Sequence, residues 1–147
     1  VARVPERVVV VQALDQALKI YRERFKPSAT HAKPYALVGV NIIAGETDAE
    51  ARGLATSQQM SFADIFRNAR GPIRPPIDDI ETYWRPEEKA QAQHMLACSI
   101  IGGPETIRRG IGAFLERTKA DELMIVSDMF DFAKRLRSFE IIAKVMQ

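Results

Sequence analysis

The chain has 147 residues, and its 21 Lys and Arg residues nearly balance 19 Asp and Glu residues, for a formal net charge of +2. Its hydrophobic content of 46% and charged content of 27% are typical of one globular domain and argue against disordered, collagen-like and coiled-coil chains. Basic and acidic residues are interspersed, so no nucleic-acid partner is predicted. The apolar runs are too short to span a bilayer, so no membrane partner is predicted. The single cysteine favours a reducing, cytoplasmic location.

The first predicted elements are a helix and a buried strand. Apolar residues recur at three- and four-residue spacing over residues 11–25, which predicts a helix that ends before Pro27. Residues 35–44 are almost continuously apolar and rich in Val and Ile. Such a run is typical of a strand buried on both faces in a parallel sheet.

A second helix is predicted to follow this strand. Thr47 and Glu50 have the spacing at which the cap residue and the third helical residue satisfy each other's free amides. The helix should therefore begin there and run to about residue 67. Its polar segment at residues 56–59 is expected to interrupt the packed face.

Residues 68–86 form a proline- and glycine-rich connection, and a connection this long in a compact domain is often a lid or a binding loop. Cationic and aromatic side chains on it could clamp an anionic, planar ligand by charge and stacking. These side chains are Arg67, Arg70, Arg74, Tyr83 and Trp84. The alternative is that the arginines are solvated and that the aromatic residues anchor the loop.

Proline and acidic residues open the next two helices. Pro86 suits the first position of a third helix that reaches about residue 97. Residues 99–105 then predict a short extended piece that turns into a fourth helix. The expected buried face of this helix is Ile107, Ile111, Phe114, Leu115 and Thr118.

The last two elements repeat the alternation. Residues 122–127 predict a second buried strand, and Asp131 can cap a final helix. The expected buried stripe of that helix is Ala133, Leu136, Phe139, Ile142, Ala143 and Met146. The order predicts an α/β fold with two strong parallel strands and about five helices. Because two parallel strands cannot bury both of their own faces, the chain is expected to find more strands in a partner or in a larger protein.

Several ordered segments resemble the bacterial luciferase-like flavin-dependent monooxygenases. The run at residues 100–107, continued through residues 114–115 and 120–124, is similar to the C-terminal signature of that family. Residues 21–28 and the strand at 35–44 with the following 47–51 are similar to neighbouring family segments. The resemblance covers most of the chain.

The resemblance implies the C-terminal part of a (β/α)₈ TIM-type barrel, because a full barrel needs ~250 residues. The two strands would be the seventh and eighth, and residues 1–147 would form a single partial barrel domain. Residues 68–86 would match the mobile, lid-like stretch over the flavin site. Residues 1–11 do not resemble the segment expected there, which suggests a truncated or frame-altered product or an excised fragment with a foreign start.

The same resemblance implies a monooxygenase that uses reduced FMN and dioxygen to oxidise a small organic substrate. The implied cofactor-binding residues are Arg70, Arg74 and Trp84 on the lid-like loop and Ser127 and Asp128 after the last strand. Turn and capping roles remain open for Glu46 and Asp128. Catalytic residues are not assigned, because the family's main flavin and catalytic positions lie on earlier strands. The isolated chain is therefore expected to have negligible activity, and FMN is expected to require the rest of the barrel to bind.

Two other features point less strongly to a binding site. The turn at residues 102–105 could hold a phosphate at a helix start, but a glycine turn followed by Pro104 also simply starts a helix, and Glu105 would repel an anion. His94 and Cys98 share a helix face, yet a zinc site needs three or four ligands, so no metal is predicted.

Two other function classes stay open beside the enzyme. One is a non-catalytic interaction protein that forms a homodimer, or docks onto a complementing barrel fragment, through its exposed strand edges. The other is a binder of small anions that depends on Arg70 and Arg74. Coloured, flavin-containing protein would favour the enzyme, and a colourless tight dimer would favour the interaction protein.

Overall fold

The computed structural model describes the backbone of residues 6–147 and the side chains from residue 13 onward. Of the atypical start suggested for residues 1–11, the first five positions lie outside the described residues.

Helices and strands alternate along the described chain, as the sequence predicts. The five helices are α1 (Glu6–Arg24), α2 (Asp48–Phe66), α3 (Pro86–Met95), α4 (Pro104–Thr118) and α5 (Phe132–Val145). The three strands are β1 (Leu37–Ala44), β2 (Ile100–Gly102) and β3 (Glu122–Val126), and one 3-10 helix, Ile80–Thr82, precedes α3. The α/β class and the five helices are confirmed.

The three strands form one parallel sheet in the order β2-β1-β3. Leu37 to Asn41 of β1 pair with Glu122 to Val126 of β3, and Ile42 to Ala44 pair with β2 on the opposite edge. β2 is the extended piece predicted before the fourth helix, and it adds a short third strand to the two strong ones. The edge of β1 at residues 37–41 that faces away from β3 has no partner strand among the described residues.

One face of the sheet carries the main core. Alternate residues of β1, namely Val38, Val40 and Ile42, point to this face and pack against α4 and α5. Burial of these side chains drives the packing, at roughly 25 cal/mol per Å² of apolar surface removed from water. The helix residues of the core are Ile107, Ile111, Phe114, Ile141 and Ile142.

The opposite face is bare over most of its length and carries large apolar side chains. Met124 is 55% exposed, Leu37 46% and Val126 39%, although all three stand on strands. Among the described residues, β3 and the first half of β1 are therefore buried on one face only, and no element covers their second face. Only the carboxyl end of β1 is covered on both sides, where Ile43 packs against α2.

The buried stripe predicted for the last helix is wrong except at Ile142. α5 buries Ser138, Ile141 and Ile142, whereas Leu136 and Phe139 are exposed. The helix is apolar on two sides, and periodicity alone does not tell which side meets the sheet. The exposed side is a stripe of Phe132, Leu136, Phe139 and Met146.

Candidate functional site at the carboxyl ends of the strands

The carboxyl ends of the strands lie side by side, because the sheet is parallel. β1 ends at Ala44 and β3 at Val126, and the loops that follow begin with Gly45 and Ser127. Ligand and active sites of parallel α/β proteins lie at this end of the sheet. α2 packs over it, with Ala55 against Ile43 and Met129.

Three buried polar side chains of this region have unused hydrogen-bonding capacity. Ser57 and Gln58 of α2 are each 1% exposed, and Ser127 is 4% exposed. Among the described residues, none of their side-chain oxygen or nitrogen atoms has a hydrogen-bond partner. Buried polar atoms are nearly always paired, so this cluster is an exception that needs a cause.

A cleft opens beside these residues, between α2, α5 and the segment after α2. We name it the rim cleft. Its volume is about 210 Å³, and its walls are Gln58, Ser61, Phe62, Gly71, Ile73, Asp128, Met129 and Arg135. A shallower cleft of about 410 Å³ lies on another side of α2, between Arg52, Thr56, Asp78 and Asp79.

The loop after β1 and the first turn of α2 are held by ion pairs to α5. Arg137 Nε donates to Glu46 Oε1 over 2.6 Å, and Lys134 Nζ donates to Glu50 Oε1 over 2.6 Å. These hydrogen bonds lower the pKa of both carboxyl groups below the ordinary value and raise the pKa of Lys134. Thr47 caps α2 by accepting from the amide of Glu50, as predicted, whereas the Glu50 carboxylate accepts from the amide of Glu46 and not from that of Thr47. Glu46 thus ties the loop to α5, which favours its structural role.

Arg74 and Trp84 of the implied cofactor set lie in a different cluster. Arg74 pairs with the Asp64 carboxylate and the Tyr83 hydroxyl. The Trp84 ring is 8% exposed and packs beside Ala63 and Ala92.

The same cluster contains a two-point ion pair. Arg67 donates to both carboxylate oxygens of Glu88, over 2.8 and 2.6 Å, and lowers the pKa of Glu88 to about 2. The guanidinium groups of Arg67 and Arg74 lie 4.5 and 4.9 Å from the centre of the Tyr83 ring. These contacts fasten residues 68–86 to α2 and α3, so the cationic and aromatic side chains bind one another.

The structure therefore divides the implied cofactor residues into two groups. Ser127 and Asp128 lie at the rim, where Ser127 is buried and Asp128 lines the rim cleft. Arg74 and Trp84 belong to the cluster around Tyr83, and Arg70 is exposed beyond the end of α2. Their roles in binding a cofactor stay predictions.

The helix start at residues 102–105 makes a contact within the chain. The amide of Gly103 donates to Asp48 Oδ1 over 2.7 Å, and this bond is the main cause of the lowered pKa of Asp48. A carboxylate of the chain thus takes the place at which a phosphate was considered. Among the described residues, no group of three or more His, Cys, Asp or Glu side chains is placed to hold a metal ion.

The sequence reasoning missed Ser57 and Gln58. Residues 56–59 were expected to interrupt the packed face of α2, yet Thr56, Ser57 and Gln58 are buried. The sequence does contain a signal for them, because a run of neutral polar residues inside an otherwise packed helix is also what a polar ligand site requires.

No helix in the described part of the chain is long and apolar enough to cross a membrane.

Comparisons with known proteins find relatives of this sequence. The chain is 44% identical over 129 residues to the uncharacterized protein YvbT of Bacillus subtilis strain 168, and these residues cover 88% of the chain and 38% of that protein. It is 40% identical over 134 residues to a luciferase-like monooxygenase of Escherichia coli K12, covering 91% of the chain and 40% of that protein. No protein-family model matches the chain.

A solved structure shares the fold. The crystal structure of apo-MsnO8 superposes with a TM-score of 0.72 at 21% identity, over 94% of this chain and 42% of that one. The chain thus spans about two fifths of the length of the curated relatives that it matches. Over most of its length, the chain is similar in sequence to luciferase-like monooxygenases.

Proposed function

We propose that these residues form the closing part of a (β/α)₈ barrel in a longer polypeptide, and that the complete barrel is an FMN-dependent monooxygenase. β1 and β3 would be the seventh and eighth strands. The observation that carries this proposal is the two-sided sheet, which has helices on one face and bare apolar side chains on the other. In a closed barrel the bare face becomes the interior, where side chains of all strands fill the core.

The open edges of the sheet support the same assignment. β1 pairs with β3 along residues 37–41, and its opposite edge over that stretch lies beside an apolar groove of about 420 Å³. The groove is lined by α1 and β1, including Leu14, Leu18 and Leu37. A preceding parallel strand, with α1 as its crossover helix, would fill the groove and complete the pairing.

The residues at the rim fit part of a flavin site. Ser127 supplies a buried hydroxyl at the carboxyl end of β3 that has no partner among the described residues, which suits a polar contact to a ligand. A bound reduced flavin would supply the electrons that activate dioxygen, and this segment would exclude water and position ligands. Because Arg74 and Trp84 are engaged within the chain, we assign them to holding residues 68–86 in place. The substrate is a small organic molecule, and we place the protein in the cytoplasm.

Thiol labelling tests the barrel. In the full protein that carries this segment, Met124→Cys is expected to react with a water-soluble maleimide at least tenfold more slowly than the control Ala143→Cys, which stands on the exposed part of α5. Equal labelling rates would contradict a closed barrel.

Flavin binding and oligomeric state separate the two function classes. The full protein is expected to quench FMN fluorescence and to oxidise reduced FMN faster in the presence of substrate. The second candidate is the interaction protein, which the exposed stripe of α5 and the bare sheet face favour. Protection of Met124→Cys that is lost on dilution, in a protein that binds no flavin, would support a dimer instead.

A further inference from the structure

Gln58 is a buried polar side chain that makes no hydrogen bond in the described part of the chain. It is 1% exposed, and neither Oε1 nor Nε2 has a hydrogen-bond partner among the described residues. A buried carboxamide without partners destabilises a fold, whereas an apolar side chain of the same shape does not. A ligand that pairs with this carboxamide would account for its presence.

The surroundings of Gln58 define the chemistry of such a ligand. Gln58 is a wall of the rim cleft, which also presents the apolar side chains of Phe62 and Met129. The two charged walls, Asp128 and Arg135, have opposite signs, so the cleft carries no net charge. Its volume of about 210 Å³ lies below the range of drug-sized pockets, so it suits a small molecule or one end of a larger one.

We propose that the rim cleft binds a small, uncharged organic ligand through a group that both donates and accepts hydrogen bonds, such as a carboxamide or a lactam. Gln58 pairs with this group at two points, because its own carboxamide offers one acceptor and two donors. Both polar atoms of Gln58 are buried, so such binding requires the carboxamide to turn from its buried position into the cleft. The apolar walls hold the hydrocarbon part of the ligand.

This inference rests on the proposed function only for the identity of the ligand, which would be the substrate or its polar end. A neutral ligand is favoured over an anion, because Gln58 carries no charge and the charges of Asp128 and Arg135 offset each other. The proposal therefore names an uncharged substrate class for the barrel.

The first test is the stability of the ligand-free full protein. Gln58→Met keeps the size of the side chain and removes the unpaired amide, so its melting temperature is expected to rise by about 2 °C or more. The matched control is Gln59→Met, one residue along on a half-buried position, and it is expected to change the melting temperature little. A fall in the melting temperature of Gln58→Met would overturn the proposal, because it would show that Gln58 is paired within the fold.

The second test measures binding of butanamide and butanoate by saturation-transfer NMR. Wild-type protein is expected to bind butanamide about tenfold more tightly than butanoate, and Gln58→Met is expected to lose this preference while Gln59→Met keeps it. Equal affinities for the two probes in the wild type, or an unchanged preference in Gln58→Met, would overturn the proposal. FMN quenching is measured on the same proteins, so that failure of flavin binding contradicts the proposed function without deciding the amide preference.

Discussion

Two glycines of α4 offer a matched test of how this helix packs on the sheet. A Cβ atom built at Gly110 would lie 2.5 Å from Cγ2 of Ile100 on β2, whereas a Cβ at Gly112 meets nothing within 4 Å. In either position, replacing glycine with alanine stabilises a helix by about 1 kcal/mol. At Gly110 the overlap with a stiff, β-branched side chain costs about 1–3 kcal/mol.

Gly112→Ala should therefore raise the free energy of unfolding by about 1 kcal/mol, and Gly110→Ala should lower it by roughly 0–2 kcal/mol. The difference between the two changes in the free energy of unfolding reports the contact between α4 and β2. Urea unfolding of the full protein measures it, and hydrogen exchange of the α4 amides shows whether the change is local to this helix. If Gly110→Ala is stabilised as much as Gly112→Ala, α4 does not pack on β2 as described.

Three further predictions follow from single contacts. Arg67 lowers the pKa of Glu88 from 4.5 to about 2, so the pair stabilises the fold above pH 4.5 and this stabilisation is lost as the pH falls towards 2. Glu88→Gln is expected to flatten that loss in urea titrations at several pH values, and an unchanged pH dependence would contradict the pairing. Ser138 is fully buried, and its Oγ accepts from the amide of Ala44 over 2.9 Å. Ser138→Ala should therefore lower the free energy of unfolding, measured in urea, by about 1–3 kcal/mol. A decrease below about 0.5 kcal/mol would argue against this bond. Tyr83→Ala removes the ring between two guanidinium groups, and trypsin is expected to cleave the segment between α2 and α3 several-fold faster, whereas an unchanged rate would show that the ring does not fasten it.

Local sequence signals predict most of the fold, because caps and breakers act over a few residues. Thr47 and Asp131 cap α2 and α5 through their side chains, as predicted. Pro86 and Pro104 stand at the first positions of α3 and α4. These residues fix where helices begin whatever the chain packs against.

The sequence predicts burial less well, because burial depends on what covers each face. Met124 and Leu136 have the apolar character of core residues, yet both are exposed among the described residues. Met124 has the spacing of a buried strand and Leu136 that of a buried helix stripe. This spacing does not tell which other element of the protein covers them. The contacts around Tyr83 could not be predicted from the sequence either. They join residues about 10–20 positions apart through long side chains, and a sequence pattern does not give the directions of those side chains.

The two ends of β1 differ in how far residues of this chain cover them. This difference separates two roles that the segment would have in the complete protein. At the carboxyl end, Ile43 is fully buried under α2, and the rim cleft is built from α2, α5 and the residues beside them. At the amino end, Leu37 is bare. In the proposed barrel, the segment would supply a wall of the ligand site at the rim, whereas the remaining strands would cover the interior at the amino end. Ligand selectivity from Gln58 and closure of the proposed barrel over Met124 would then be separable properties, which substitutions at the two ends can change one at a time.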